Sequence, residues 1–185
     1  VAAVGTDGTD GPTDVAGALE WKADAGRVAP IGAASLLFSN DDARYPEFEG
    51  NDLATLHDGI TMLNVCEDGA TIGDVFGSQL PQLENADVET LFTVSMGGNE
   101  LLSAFANKPD AALLSNVVRD IGDAYEFLVE SLRRVRPGAA LLLTTVYDPS
   151  DGTRIIPGLF DGAGPLPLEA LQQLNERIKA IAKGL

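Results

Sequence analysis

Cysteine, histidine and basic side chains are scarce in this sequence. Cys66 is the only cysteine, so neither an intrachain disulfide nor a multi-cysteine metal site is available. It lies inside an apolar run and reads as a buried, inert thiol. His57 is the only histidine, which excludes His-rich metal sites. Only 12 Lys and Arg stand against 28 Asp and Glu, a formal net charge of −16. Phosphate backbones and anionic membranes attract clustered Lys and Arg, so nucleic acid and such membranes are poor partners. The acidic excess also suits solubility at high salt. No stretch is long and apolar enough to span a bilayer, and no secretory signal is visible at the start, so a cytoplasmic location is expected. The chain begins with Val1, not Met, and the expectation is that the natural N-terminus lies upstream.

What remains is an ordinary apolar fraction over 185 residues, enough for one domain with a sizeable core. No internal repeat, linker or low-complexity block divides it, and residues 1–185 read as one unit. Val1 to Pro12 is rich in Gly, Thr and Asp and reads mainly as loop. Asp14 is placed to cap a short helix through Ala18, Leu19 and Trp21, with Gly26 to Pro30 ending it. Ile31 to Asp42 reads as irregular, and Asp52 to Leu56 as a helical turn. Thr61 to Cys66 is a predicted strand, Asp68-Gly69-Ala70-Thr71 a turn, Thr71 or Ile72 to Leu83 a helix, and Leu91 to Met96 a second strand. After Asp110, a plausible cap, Leu113, Leu114, Val117, Val118, Ile121, Tyr125, Leu128, Leu132 and Val135 recur at spacings of three and four, the mark of an amphipathic helix. Pro137-Gly138 stops it, and Arg133, Arg134 and Arg136 complement its dipole. Ala139 to Val146 reads as a parallel strand covered on both faces. Tyr147 to Pro167 is a long loop, and a final helix carries Leu168, Leu171, Leu174, Ile178 and Ile181, with Gly184 as C-cap. This alternation implies right-handed crossovers and a parallel sheet between helical layers.

In such a sheet, ligands bind in the crevice beyond the carboxyl ends of the strands. A Gly-containing turn or polar loop follows each predicted strand: Asp68-Gly69-Ala70-Thr71, Gly97-Gly98-Asn99-Glu100 and Tyr147-Asp148-Pro149-Ser150-Asp151. Gly69 presents a backbone N–H without obstruction, Asn99 presents a side-chain N–H, and Gly97 allows the turn. Two donors facing one point make an oxyanion hole. A structural alternative has Asn99 capping the following helix.

These residues resemble the SGNH (GDSL-like) hydrolases. Gly69 matches that family's Gly donor block, and Gly97-Gly98-Asn99-Glu100 its Gly-x-Asn-Asp block, with Glu100 in place of the Asp. Asn40 to Phe48, Asp68 to Val75, Thr145 to Asp151 and the helix with Leu174-Asn175 look like bacterial members, so the resemblance runs from about residue 30 to the C-terminus. It implies a three-layer α/β/α fold with a flavodoxin-like parallel sheet, strand order 2-1-3-4-5. It also implies ester hydrolysis through a serine acyl-enzyme, without metal or cofactor, on a small-molecule ester substrate.

Two blocks of that pattern are missing. No Gly-Asp-Ser and no Asp-x-x-His occurs, so the family's Ser and His do not map onto this chain, and the expectation places them beyond its two ends. A competing alignment makes Val1 to Val4 the first strand and Gly5-Thr6-Asp7 a degenerate first block, with Thr6 at the nucleophile position. Ser35 with His57 is the minor internal alternative, since a serine nucleophile needs a base within reach; Ser95 reads as packing. Asp41, Asp42, Asp148, Asp151 and Asp161 read as solvated loop carboxylates, not a Ca²⁺ loop. There is no Gly-x-Ser-x-Gly elbow, and a nucleotide-binding role lacks a Walker motif or Gly-x-Gly-x-x-Gly. An inactive ester- or glycan-binding relative is the main competitor to a hydrolase. The 185-residue chain is expected to show no turnover of 4-nitrophenyl acetate above background, and serine-dependent turnover would show that it holds its own nucleophile.

Overall fold

The computed structural model describes residues 2–6, 33–83, 89–107, 110–156 and 165–185. The helix expected through Ala18 and Trp21, its stop at Gly26 to Pro30, and Asp161 lie outside these residues. Among the described residues four strands form one sheet: β1 (Ala2–Thr6), β2 (Ile60–Asn64), β3 (Thr90–Val94) and β4 (Ala140–Leu143). Around them lie α1 (Ala33–Phe38), α2 (Leu53–Leu56), α3 (Ile72–Asp74), α4 (Gly98–Ala106), α5 (Ala111–Val135) and α6 (Leu168–Lys183). The fold is mixed α/β, and the sheet order is β2-β1-β3-β4.

The sheet is not wholly parallel. β3 and β4 run parallel, but β1 lies antiparallel between β2 and β3. Ala2 pairs with Asn64 on one side and Thr93 on the other, and Thr6 pairs with Ile60. The slot between β2 and β3 is therefore filled by the start of the chain, as the competing alignment expects, but in the reverse direction. Thr6 sits at the entry end of β2, a strand's length from the loops that follow β2 and β3. That position removes Thr6 as a nucleophile beside Gly69.

β3 is the spine of the core. Phe92 and Val94 are 1% exposed, and Met96 just beyond the strand is also buried. α5 lays Ile121, Tyr125, Leu128 and Leu132 into the same core, and α6 adds Leu171, Leu174 and Ile178. The spacing of three and four is what makes one apolar stripe on each helix. Asp110 caps α5 as expected, its Oδ1 accepting the Leu113 N–H at 2.8 Å. Arg133 and Arg134 occupy its last turn, where cations oppose the carbonyl dipole. The helix expected from Ile72 to Leu83 is present as α3 continued by a π turn (Val75–Gln79) and a 3₁₀ turn (Leu80–Gln82).

Further expectations change. Ala2–Thr6 is a strand, inside the Val1 to Pro12 stretch expected to be mainly loop. Ala33–Phe38 is a helix, not an irregular segment. α4 begins at Gly98, where Gly97-Gly98 had read only as a turn. β4 keeps four residues of the expected Ala139 to Val146 run, and it is not covered on both faces: Ala140 is exposed and Leu142 is 43% exposed. Beyond β4 the chain holds to β3 for one more residue, with the Thr144 N–H and hydroxyl both donating to Val94 O at 2.9 and 3.2 Å.

Gly97 turns the chain from β3 into α4 at φ +94°, and a Cβ there would stand 2.7 Å from Ile121 Cγ2. Both facts demand glycine: the left-handed backbone strains any L side chain, and the core has no room to yield freely. Gly97→Ala is expected to cost about 3 kcal/mol and to lower Tm by roughly 10 °C. Gly77, with nothing within 4 Å of an added Cβ, is the control: Gly77→Ala should leave Tm unchanged or raise it. Thermal melts followed by circular dichroism check both.

Candidate active site

Because β1 runs against its neighbours, β2, β3 and β4 all point the same way. Asn64, Ala2, Thr93 and Leu142 line up across the sheet. The loops after the three codirectional strands therefore leave from one edge.

The loop after β2 turns at Gly69. The Ala70 N–H donates to Glu67 O at 3.2 Å, and Gly69 takes φ +77° at the third position of that turn, the position that favours glycine in a type II turn. Thr71 then caps α3 reciprocally with Asp74. Those bonds, the Thr71 hydroxyl first and its backbone N–H second, hold the Asp74 carboxyl below its ordinary pKa.

The loop after β3 enters α4 through Gly97, which has no side chain with which to cap the helix. Asn99 does not cap it either. Its Nδ2 donates to Ala70 O at 2.7 Å, so it reaches the residue beside Gly69. Glu100, one position on, accepts the Ile72 N–H on Oε1 at 2.5 Å. The first turn of α4 thus grips the β2 loop at two points, on either side of Thr71. A primary amide carries two N–H donors, so one Asn99 hydrogen remains for a ligand. Among the described residues the Gly69 N–H donates to no protein acceptor. Glu100 Oε2 is buried without a hydrogen-bond partner.

Two side-chain clamps, one buried and one half-buried, hold the strand exits. The Met96 N–H donates to Tyr125 Oη at 3.0 Å, and the Tyr125 hydroxyl donates back to Met96 O at 3.0 Å. Asn175 on α6 does the same to Val146: Oδ1 accepts its N–H and Nδ2 donates to its C=O, each at 2.8 Å. Burial pushes the Tyr125 phenol up to about 12; its bond to Met96 opposes the rise and the Glu100 charge adds to it.

Beside Asn99 lies a cavity of about 110 Å³. α4 gives it Leu101, Leu102 and Phe105; the β4 exit gives Val146, Tyr147 and Pro149; the start of α6 gives Leu166 and Leu171. Gly98 permits this arrangement, since a Cβ there would stand 3.2 Å from Val146 Cγ1. The loop after β4 is self-supporting. Asp148 accepts the Ser150 hydroxyl and N–H and the Gly152 N–H, and these bonds, the hydroxyl foremost, lower its pKa. The Leu166 N–H donates to Arg154 O at 2.7 Å, and Arg154 pairs with Glu169 at 2.7 Å, which ties the segment carrying Leu166 to the β4 loop.

The remaining candidates stay apart. Ser35 lies on α1 and His57 ends α2, and no hydrogen bond joins them. His57 is exposed and leads into β2, at the opposite end of that strand from Gly69. Ser95 is exposed and not packing, and Cys66 is half-buried instead of fully buried. No cluster of metal-ligating side chains occurs among the described residues, and none of their helices is long and apolar enough to cross a membrane. Sequence reasoning passed over Tyr125 and Asn175 as parts of helices. Asn175 carried a signal, being a polar residue next to Leu174 on the apolar stripe; Tyr125 carried none beyond its spacing.

No family model matches the chain, and neither does any curated protein or solved structure.

A phenol whose pKa is raised in the folded state gives stability that is fully present below its unfolded pKa and lost as pH rises through its folded one. Tyr125 therefore predicts a fall in Tm as pH rises from 10 to about 12, read by melts beside tyrosinate absorbance. Tyr125→Phe should remove that part of the slope. At neutral pH it should cost about 2–4 kcal/mol, because two buried backbone groups of Met96 lose their partner.

Proposed function

We propose that this chain carries the oxyanion-binding part of a serine ester hydrolase of the SGNH (GDSL-like) type, in a three-layer α/β/α arrangement. The observation that carries the reading is the 2.7 Å bond from Asn99 Nδ2 to Ala70 O, which brings the asparagine amide to the turn holding the Gly69 N–H. When a nucleophile adds to an ester carbonyl, negative charge grows on the oxygen. Donors fixed in advance stabilise that charge more than they stabilise the ground state. The Gly69 N–H and the second Asn99 hydrogen are those donors. Gly97 turns α4 toward the β2 loop, and Glu100 keeps it there. An apolar cavity next to Asn99 suits the acyl part of a small-molecule ester.

The nucleophile and the base come from outside the residues named so far. In the family pattern the Ser follows the strand between β2 and β3, a slot that β1 occupies here in reverse. A nucleophile-bearing strand would have to take that place from β1. The lack of a bond between Ser35 and His57 favours a second reading, an inactive domain that binds an ester or a glycan.

Coding DNA on both sides separates the two. An esterase encodes Gly-Asp-Ser before Val1 and Asp-x-x-His after Leu185; neither would be found beside a binding domain. In the longer chain, Asn99→Ala is expected to lower kcat for 4-nitrophenyl butyrate by ~100- to 1000-fold, with KM little changed. A kcat within about threefold of the parent would remove Asn99 from the oxyanion site.

A further inference from the structure

We infer that the site takes short-chain acyl esters, with room for an acyl chain of about four carbons. This rests on the ester-hydrolase reading of Asn99 and deepens it. The cavity beside Asn99 measures about 110 Å³, and an apolar protein cavity of about 150 Å³ accommodates benzene, which scales to about four carbon atoms here. Its inner lining is apolar and buried, with Leu101, Phe105, Leu166 and Leu171 each less than 10% exposed, whereas Tyr147 on the β4 side is 79% exposed. Such walls do not shift cheaply to admit more methylenes. Pro149 on the β4 loop and Leu166, whose N–H donates to Arg154 O, line the cavity beside the start of α6. Asn99 is the lining residue with a side-chain amide. An acyl chain seated against Leu102 and Phe105 therefore has its carbonyl carbon at the Asn99 end of the cavity. Chain length is then selected by volume: each methylene up to the limit gains burial, and each one beyond it stays in water.

The test is a ligand titration of the intact 185-residue chain, isotopically labelled, with amide shifts of Gly98, Leu102 and Phe105 read by NMR. The probes are ethyl acetate, ethyl butyrate and ethyl hexanoate. Each buried methylene strengthens binding by about fourfold, so ethyl butyrate, with two more, is expected to bind roughly fifteenfold tighter than ethyl acetate, and ethyl hexanoate no tighter than ethyl butyrate. Affinity still rising at ethyl hexanoate overturns the length limit while leaving the hydrolase reading intact. No shift at these amides with any ester overturns the cavity as an acyl site. Asn99→Ala tests the underlying reading separately. Because the amide acts on the transition state, that reading is judged by kcat in the longer chain: a kcat within about threefold of the parent, with the length preference intact, removes the amide's role and leaves the length limit standing. Leu102→Ala, at a half-buried position tolerant of truncation, should enlarge the cavity and move the optimum to ethyl hexanoate. An unchanged optimum in a folded Leu102→Ala protein counts against selection by volume.

Discussion

Where β3 ends, the Met96 N–H and C=O lose the sheet, and the Tyr125 hydroxyl takes both. A buried peptide group without a partner is costly, so a strand that stops inside a core needs such a substitute. α5 supplies it from a side chain that is itself 0% exposed. α6 repeats the arrangement one strand over, where Asn175 takes both backbone groups of Val146. Each clamp fixes the point at which a strand gives way to a loop. The crevice is therefore defined by two helix side chains as much as by the sheet. The first turn of α4 adds a third tie, with Asn99 and Glu100 holding Ala70 and Ile72.

Electrostatics follows from that scaffold. The Glu100 carboxylate sits in the first turn of α4, where the helix dipole favours a negative charge, and its Oε1 is spent on Ile72. The same charge adds to the rise of the Tyr125 phenol. The Glu100 carboxylate thus ties the β2 loop to α4 and also acts on the buried phenol behind β3.

Legibility in the sequence depended on how local each signal was. α5 and α6 were readable because their apolar residues recur at helical spacing and their ends carry Asp110 and Gly184. α4 was not, because two glycines at its start are poor helix formers; what holds it is the approach of Gly97 to Ile121 and Leu174, a contact made by residues distant in sequence. β4 looked longer than it is because an apolar run does not record where its partner strand stops. The direction of β1 had no local signal, since pairing orientation is decided by what lies on either side. The glycine turns after β2 and β3 were legible as motifs, but the bond between them runs from Asn99 to Ala70 O and not to Gly69, and Tyr125 was visible only as one more apolar position.

The reversed β1 has a practical corollary for handling the protein. Ala2 pairs with Asn64 and Thr93, so the amino end of the chain emerges at the rim that also carries Gly69 and Asn99. The carboxyl end is elsewhere: Leu185 O accepts from Arg133 at 2.8 Å, near the entry to β4. Chain joined ahead of Ala2 therefore starts at the crevice side of the sheet, and chain joined after Leu185 starts beside the last turn of α5.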